Sequence, residues 1–386
     1  LINMVAQSAA HYHDHGLLGM GFDFGTGAEV RAGGLLTGIF GSSSVAIVDF
    51  RTANARYHWG GRGKNLLSAR RILTQILGPD PGLAYSVPTR RPEMDGGPVP
   101  FRPPENPPAC APAIQNSGKV VLLGGSFDEN HDQQLRRFVA VLNVHHVRQV
   151  AILVFGKANA RRSQAALRRT EADLRASGWN QAIQSWPIDE VGGALQPSEA
   201  SIVSSGVLML AGDGATMHSI ILQPELRALI GEVMRRSPAV ITDGAMTAVL
   251  GSAYAGNPWP APTQVSEAAI QAFRSGAVSI DSGLGLFPTL DFVPRLYANE
   301  AWGQLYSLSR ADHEVQVVGI GEASALVVQP FMASSANRCA TITVTGKQPA
   351  VSLDARAATF RPATNGTFSA LNVLMNVYAP GDTLTR

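Results

Sequence analysis

The sequence predicts an α/β fold: a doubly wound, mostly parallel sheet, with a partial second copy at the N-terminus. Three observations predict it. Strand and helix patterns alternate after residue 117, a proline-rich stretch sets the first 78 residues apart, and four segments of the first 80 residues recur in order near the C-terminus. The composition leaves room for this. The chain has 386 residues, 45% of them hydrophobic, enough for about two domains. Only 16% are charged and the net charge is +2, so the basic footprint of a nucleic-acid binder is missing. No apolar run reaches the roughly 18 residues that a membrane span needs. No cofactor is expected, since Gly124-Gly125-Ser126 is followed by no Gly-Lys-Ser/Thr and is not a phosphate loop. Low charge with abundant Gly, Ala and Ser points to an exported protein, extracellular or periplasmic. The chain opens Leu1-Ile2-Asn3-Met4 and shows no signal-peptide pattern, so it reads as a processed product or as part of a longer chain.

Residues 1–78 form the N-terminal piece. Residues 79–116 read as a linker, because eleven of the 24 prolines fall between Pro79 and Pro112. Such a segment suits an extended, polyproline-like connector rather than a helix interior or a central strand. Residues 117–386 alternate. Lys119–Ser126 is an apolar run ending in glycine, a buried strand. Asp132–Asn143 is an amphipathic helix, Val150–Phe155 a second strand, and Arg161–Ser177 an Arg-rich helix ended by Gly178. Val207–Ala211 is a third strand, His218–Arg236 a helix, and Ala239–Ile241 a fourth strand running into Asp243-Gly244-Ala245 and another helix. Ligands of such sheets sit at the carboxyl ends of the strands. The turns at Gly124–Ser126, Gly212–Ala215 and Thr242–Ala245 are therefore the place to look.

The repeat is the most informative feature. Gly16-Leu-Leu-Gly-Met-Gly21 matches Val317-Val-Gly-Ile-Gly321, and Val45-Ala-Ile-Val-Asp-Phe-Arg51 matches Ala350-Val-Ser-Leu-Asp-Ala-Arg356. Ser68-Ala-Arg-Arg-Ile-Leu73 matches Ser369-Ala-Leu-Asn-Val-Leu374, and Pro79-Asp80 matches Pro380-Gly-Asp382. Residues 1–78 thus read as the C-terminal remnant of one copy, and residues 117–386 as the complete other copy. Strands in a remnant lack their parent sheet, so their edges need a partner.

These motifs resemble the cyanophycinase and dipeptidase-E-like serine peptidases. Gly118–Gly125 followed by Asp128-Glu-Asn130 is similar to the family's first strand and glycine turn. Ala211-Gly-Asp-Gly214 stands where the family has Gly-Gly-Asp/Asn-Gln, and Ala239–Met246 stands at its Gly-Thr-Ser-Ala-Gly-Ala elbow. Gly283–Phe287 with Asp291, then Gly319–Val328, look like its closing segments, and Gly21-Phe-Asp-Phe-Gly-Thr26 looks like its Gly-Ile-Asp-Glu-x-Thr. The resemblance implies a flavodoxin-like, class I glutamine amidotransferase-like sheet with a nucleophilic serine at the elbow. Here Asp243 or Gly244 takes that place, no histidine follows Asp291, and Gly214 and Ala215 replace the glutamine. Gly125, Asp213, Gly214, Asp243, Gly244 and Asp291 then outline a degenerate pocket with no catalytic residue, because a serine hydrolase needs nucleophile, base and oxyanion hole together. The resemblance implies a homo- or hetero-oligomer, a fused pseudo-dimer in form, in which an N-terminal fragment of the same precursor supplies the missing part. A hydrolase acting on Asp- or Arg-containing peptides, with its working site in the first copy, is the other reading.

Single residues have competing roles. Thr247 is a substitute nucleophile or a threonine bonding its own helical turn. Asp243 is a carboxylate nucleophile or a helix cap, and Asp213 a ligand contact or part of a tight Gly-Asp-Gly turn. His11, His13 and His15 would share one face of an extended strand and could hold zinc or copper; a solvated loop is the plainer reading. His145 and His146 are a weaker metal signal. Cys110 and Cys339 would form one long-range bridge in an oxidising compartment, or stand as unrelated thiols.

Overall fold

The computed structural model describes residues 1–12, 17–53, 58–60, 66–104, 111–112, 119–125, 127–156, 160–188, 199–211, 214–256, 269, 271–329 and 339–384. In chain order the first piece runs α1 (Ile2–Tyr12), β1 (Leu18–Phe22), β2 (Thr26–Arg31), β3 (Leu35–Gly41), β4 (Val45–Asp49), β5 (His58–Gly60) and β6 (Leu66–Leu77). Next come β7 (Leu83–Ser86), β8 (Arg91–Met94), β9 (Gly97–Pro98) and β10 (Ala111–Pro112). The middle of the chain carries β11 (Lys119–Leu123), α2 (Phe127–Val144), β12 (Gln149–Phe155), α3 (Ala160–Ala176), β13 (Ala182–Ile188), α4 (Glu199–Val203) and β14 (Gly206–Ala211). It continues through α5 (Gly214–Ile221), α6 (Pro224–Arg236), β15 (Ala239–Thr242), α7 (Gly244–Ala248), β16 (Ala253–Ala255) and β17 (Ile280–Ser282). The last part is β18 (Leu290–Pro294), α8 (Trp302–Ala311), β19 (Gln316–Ile320), β20 (Ser324–Gln329), β21 (Cys339–Gly346), β22 (Ala350–Asp354), β23 (Thr359–Pro362) and β24 (Phe368–Tyr378). The chain is a mixed α/β protein of several sheets, and no described helix is long and apolar enough to cross a membrane.

One sheet of eight strands has the order β10-β21-β20-β11-β15-β14-β12-β13. β11, β15, β14, β12 and β13 run parallel, and β20 lies antiparallel against β11. The run Val150–Phe155 is buried throughout, as expected of a strand covered on both faces. Leu135, Phe138 and Leu142 of α2 pack with Val150, Ile152 and Val154, whereas Ile230, Val233 and Met234 of α6 join the cluster holding Ala151, Leu153 and Phe155. Period-two alternation along β12 thus sends helices to opposite faces.

Three expectations change. The helix expected over 218–236 is two helices, because Pro224 has no N–H to continue the ladder and opens α6 instead. β13 went unread because its polar pattern and Pro187 hide a strand, but it is the outermost strand of its sheet, where proline is tolerated. The stretch expected as an extended connector holds β7, β8 and β9, which join β3 and β2 in a five-stranded sheet. Pro92 takes part through its carbonyl, which accepts from Val99 N at 2.9 Å. Cys110 lies outside the described residues. The chain just after it is paired with the start of β21, Pro112 opposite Cys339 and Ala111 opposite Ala340.

The second large sheet has nine strands, with the path β1-β4-β6-β24-β22-β19-β18. Its centre is the antiparallel pair β6–β24, where Leu73 faces Leu374. Outward from that pair the two halves use the same registers. Asp49 lies opposite Leu73 and Asp354 opposite Leu374. Each aspartate takes the guanidinium two residues on, Arg51 and Arg356. Arg71 and Asn372 both adopt left-handed backbone, φ 59° and 60°. Arg71 N donates to Asn376 Oδ1 at 2.9 Å, and Asn372 N donates to Gln75 Oε1 at 2.6 Å. The glycine segments also correspond, but two residues away from the sequence match. Gly21 faces Ala46, while Gly319 faces Val351; a shift of two keeps every side chain on its own face.

On one face of this sheet, Val5 and Ala6 of α1 and Leu305 and Leu308 of α8 share a core with Val48, Ile72, Val351 and Met375. The opposite faces differ. Beneath β19, β22 and β24, Ile320, Ala350 and Tyr378 pack with Leu122, Leu326 and Val240 of the eight-stranded sheet. Beneath β4 and β6, Val45, Ile47 and Leu77 pack on Leu36, Ile39, Leu83 and Tyr85 of the five-stranded sheet.

Candidate functional site

β15 ends at Thr242, and Asp243 then turns the chain into α7, all five residues of which are buried. The residue at the elbow has ordinary extended backbone, φ −102° and ψ 164°, not the strained turn that exposes a nucleophile in a hydrolase elbow. Asp243 is 4% exposed. Its Oδ1 accepts from Ala211 N at 2.9 Å, its N donates to Met209 O at 3.1 Å, and its carbonyl accepts from Thr247 N at 2.8 Å. The carboxylate therefore ties the end of β14 to the elbow. It stands at the helix N-cap position yet makes no side-chain bond to its own helix, which corrects the capping role expected for it.

The first glycine turn reaches the same place. Gly244 N donates to Gly125 O at 3.2 Å, Gly124 N to Ser324 O at 2.9 Å, and Arg295 N to Gly124 O at 2.7 Å. A Cβ on Gly124 would lie 2.1 Å from Gly321 O, so only glycine lets the turn between β19 and β20 come this close. Gly125, Asp243 and Gly244 are thus brought together at the carboxyl ends of β11 and β15. Gly214 opens α5, and Asp213 lies outside the described residues. Thr247 is fully buried; its Oγ lies 2.8 Å from Thr242 Oγ. That hydroxyl is used within its own turn rather than turned towards a substrate.

Asp291 sits apart, on β18 in the nine-stranded sheet. It is 1% exposed, and Oδ1 accepts from Ser252 Oγ at 2.8 Å and Ala253 N at 2.9 Å. Burial pushes its pKa up, opposed by those hydrogen bonds. An activated serine gives its proton to a base such as imidazole; Ser252 gives it to a carboxylate that also fixes a backbone amide. The pair fastens the segment after α7 to β18.

Two features went unread in the sequence. His218 Nδ1 lies 3.2 Å from Tyr254 OH and 3.6 Å from Asp281 Oδ2. Burial, with Asp281 adding to it, pushes the Tyr254 phenol up to about 12. Residues 218, 254 and 281 share no motif, so only the fold joins them. A cavity of about 690 Å³ lies over the nine-stranded sheet, with Leu1, Phe22, Asp23, Tyr297, Trp302 and Gln348 in its wall. Its walls come from both ends of the chain. The metal reading changes too: His11 belongs to α1 rather than to an extended strand, and His13 and His15 lie outside the described residues. His145 and His146 follow the end of α2 in a turn, not a strand. Among the described residues no three His, Cys, Asp or Glu gather as metal ligands.

No family model and no curated protein matches the chain. Among solved structures, a peptidase from an acI-B1 actinobacterium is similar over 70% of this chain and 98% of its own, at 13% identity and TM-score 0.47. A protein from Listeria monocytogenes EGD-e provisionally named peptidase E is similar over 60% of this chain and 99% of its own, at 9% identity and TM-score 0.35.

Proposed function

We propose that residues 117–386 are a catalytically silent relative of the cyanophycinase and dipeptidase-E-like peptidases, a doubly wound sheet kept for binding or assembly outside the cytoplasm. Residues 1–78 are a partial second copy of its last third. One observation carries the silent reading: at the elbow, where such a peptidase needs a free hydroxyl, the Asp243 carboxylate is buried and bonded to Ala211 N. Gly125 and Gly244 beside it offer backbone only, and the Thr242 and Thr247 hydroxyls are buried. The matching registers, left-handed residues and crossed amide bonds around Leu73 and Leu374 support the repeat.

Labelling with a serine-reactive fluorophosphonate tests the reading. The parent and Gly244→Ser should both give no adduct. The added Cβ has its nearest neighbour at 3.7 Å, an ordinary contact, so the variant should fold and still be inert for want of a base. A stoichiometric adduct on residues 117–386 of the parent would overturn the silent reading. An oxidised export product should also show Cys110 joined to Cys339 in non-reducing mass analysis, and two free thiols would refute that bridge. The alternative, a hydrolase whose working site lies in the first copy, is favoured by β2, next to Gly21–Thr26, which among the described residues has β3 alone as its partner.

A further inference from the structure

We propose that β2 is completed in the assembled protein by a strand from a partner polypeptide carrying an α/β module built like residues 119–256. The inference rests on the repeat reading above and names its missing part. The argument begins with β20, the counterpart of β2. In both hairpins the first residue faces a glycine of positive φ: Thr26 faces Gly41 (112°) and Ser324 faces Gly346 (115°). Ser43 N donates to Thr26 Oγ1 at 3.2 Å, as Gln348 N does to Ser324 Oγ at 2.9 Å. Ser42 N reaches Gly25 O as Lys347 N reaches Ala323 O. The two hairpins are built alike, yet β20 has β21 on one edge and β11 on the other, whereas β2 has only β3 among the described residues and ends its sheet.

That edge has an apolar rim. Seven of the nine exposed large hydrophobic side chains among the described residues fall within the first 40 positions, including Phe22 (50%), Phe24 (86%), Val30 (67%) and Phe40 (63%). Phe40 lies across Gly27 of β2, so one of these side chains borders the strand directly. Unpaired strand edges with exposed apolar side chains are covered in native assemblies. The other half of the molecule shows what covers this one. β11 lies antiparallel on β20, Leu123 opposite Ala325 and Val120 opposite Val328, and the glycine turn after it bonds Ser324. By that correspondence the partner strand pairs with β2 from Gly27 onward, and its following turn sits over Asp23–Thr26. Backbone ladder bonds would supply affinity and the phenylalanines specificity, as in strand addition.

The experiment is photocrosslinking of the full chain in its native cell, with p-benzoylphenylalanine in place of Phe24 or, outside the patch, of Val144. The expected result is an adduct from position 24 and none from position 144. Its linked peptide is an apolar strand running into a glycine turn and a helix, in a polypeptide other than residues 1–386. Val30→Lys, a charge placed on an exposed edge, should cut that adduct at least about tenfold without moving the melting temperature. The proposal is overturned if position 24 gives no adduct, links to a second copy of this chain, captures a protein without such a segment, or is unaffected by Val30→Lys. The repeat itself is read by paired substitutions within the folded chain, so the partner can fail while the repeat stands.

Discussion

The two halves of the nine-stranded sheet differ less in how they are built than in what they lean on. Around Leu73 and Leu374 they share register, left-handed residues and reciprocal amide bonds. Away from that axis, β22 and β24 rest on a complete α/β unit, while β4 and β6 rest on a small sheet made partly of proline-rich chain. The comparison teaches that two sheet halves can share one geometry over different supporting layers, provided an apolar layer seals the same face. Leu83, Tyr85 and Val99 do for one half what Leu122, Leu326 and Val240 do for the other.

The largest test of that equivalence is at its axis. Leu73 and Leu374 are 5% and 2% exposed, and truncating a buried leucine costs about 2–5 kcal/mol. Leu73→Ala and Leu374→Ala should each fall in that range and agree within about 1 kcal/mol in urea unfolding. If one is near neutral, the two halves are not energetic equivalents. Next come the hairpin glycines. A Cβ at Gly41 would lie 2.0 Å from Gly25 O, and one at Gly346 2.4 Å from Ala323 O. With φ positive at both, Gly41→Ala and Gly346→Ala should each cost more than about 1 kcal/mol. A cost at Gly346 alone would show that the first hairpin is held loosely without its neighbour.

How much of this was legible depended on range. The strands β11, β12, β14 and β15 announce themselves as short buried runs, because both of their faces are covered. The likeness of the two sheet halves was legible because Asp49-Phe-Arg51 and Asp354-Ala-Arg356 each build a local ion pair, a constraint confined to three residues. The strands at 83–98 were not, since proline content argues against a ladder and only the carbonyl side of Pro92 is used. At the candidate site, the sequence marked Gly125, Asp243 and Gly244 as one cluster, and the turns do meet. Asp291 was grouped with them, but its partners Ser252 and Ala253 lie 39 and 38 positions away, beyond any local pattern. His218, Tyr254 and Asp281 were invisible for the same reason.

A pH comparison sharpens the contrast between the two aspartates of the candidate region. Asp291 has a raised pKa in the folded state, so folding favours its protonated form. Its contribution is present below the unfolded pKa, near 3.8, and is lost as pH rises through the folded value. Asp291→Asn keeps an acceptor for Ser252 and Ala253 and carries no charge. Its urea midpoint relative to the parent should therefore rise between pH 4 and pH 7; a constant difference would mean that the carboxylate pays no burial cost. Asp243→Asn should likewise keep the Ala211 bond, whereas Asp243→Ala leaves a buried N–H unmatched at about 1–3 kcal/mol.

The smallest effect separates the two left-handed residues. Both hold φ near 60°, a region that costs a residue with a Cβ roughly 1 kcal/mol and glycine almost nothing. Asn372 uses its side chain there: Oδ1 accepts from Gln75 Nε2 at 3.1 Å and Nδ2 donates to Pro100 O at 3.3 Å. Asn372→Gly therefore relieves the backbone but leaves a buried amide and a carbonyl short of partners, and should destabilise by about 1–2 kcal/mol. Arg71 is only partly buried and its guanidinium reaches Pro104 O at 3.5 Å, where water can take its place, so Arg71→Gly should stay within about 0.5 kcal/mol of the parent. Equal losses in the two variants would mean that Arg71 supports the proline-rich layer as firmly as Asn372 does, and that the first half depends on that layer for more than a sealed face.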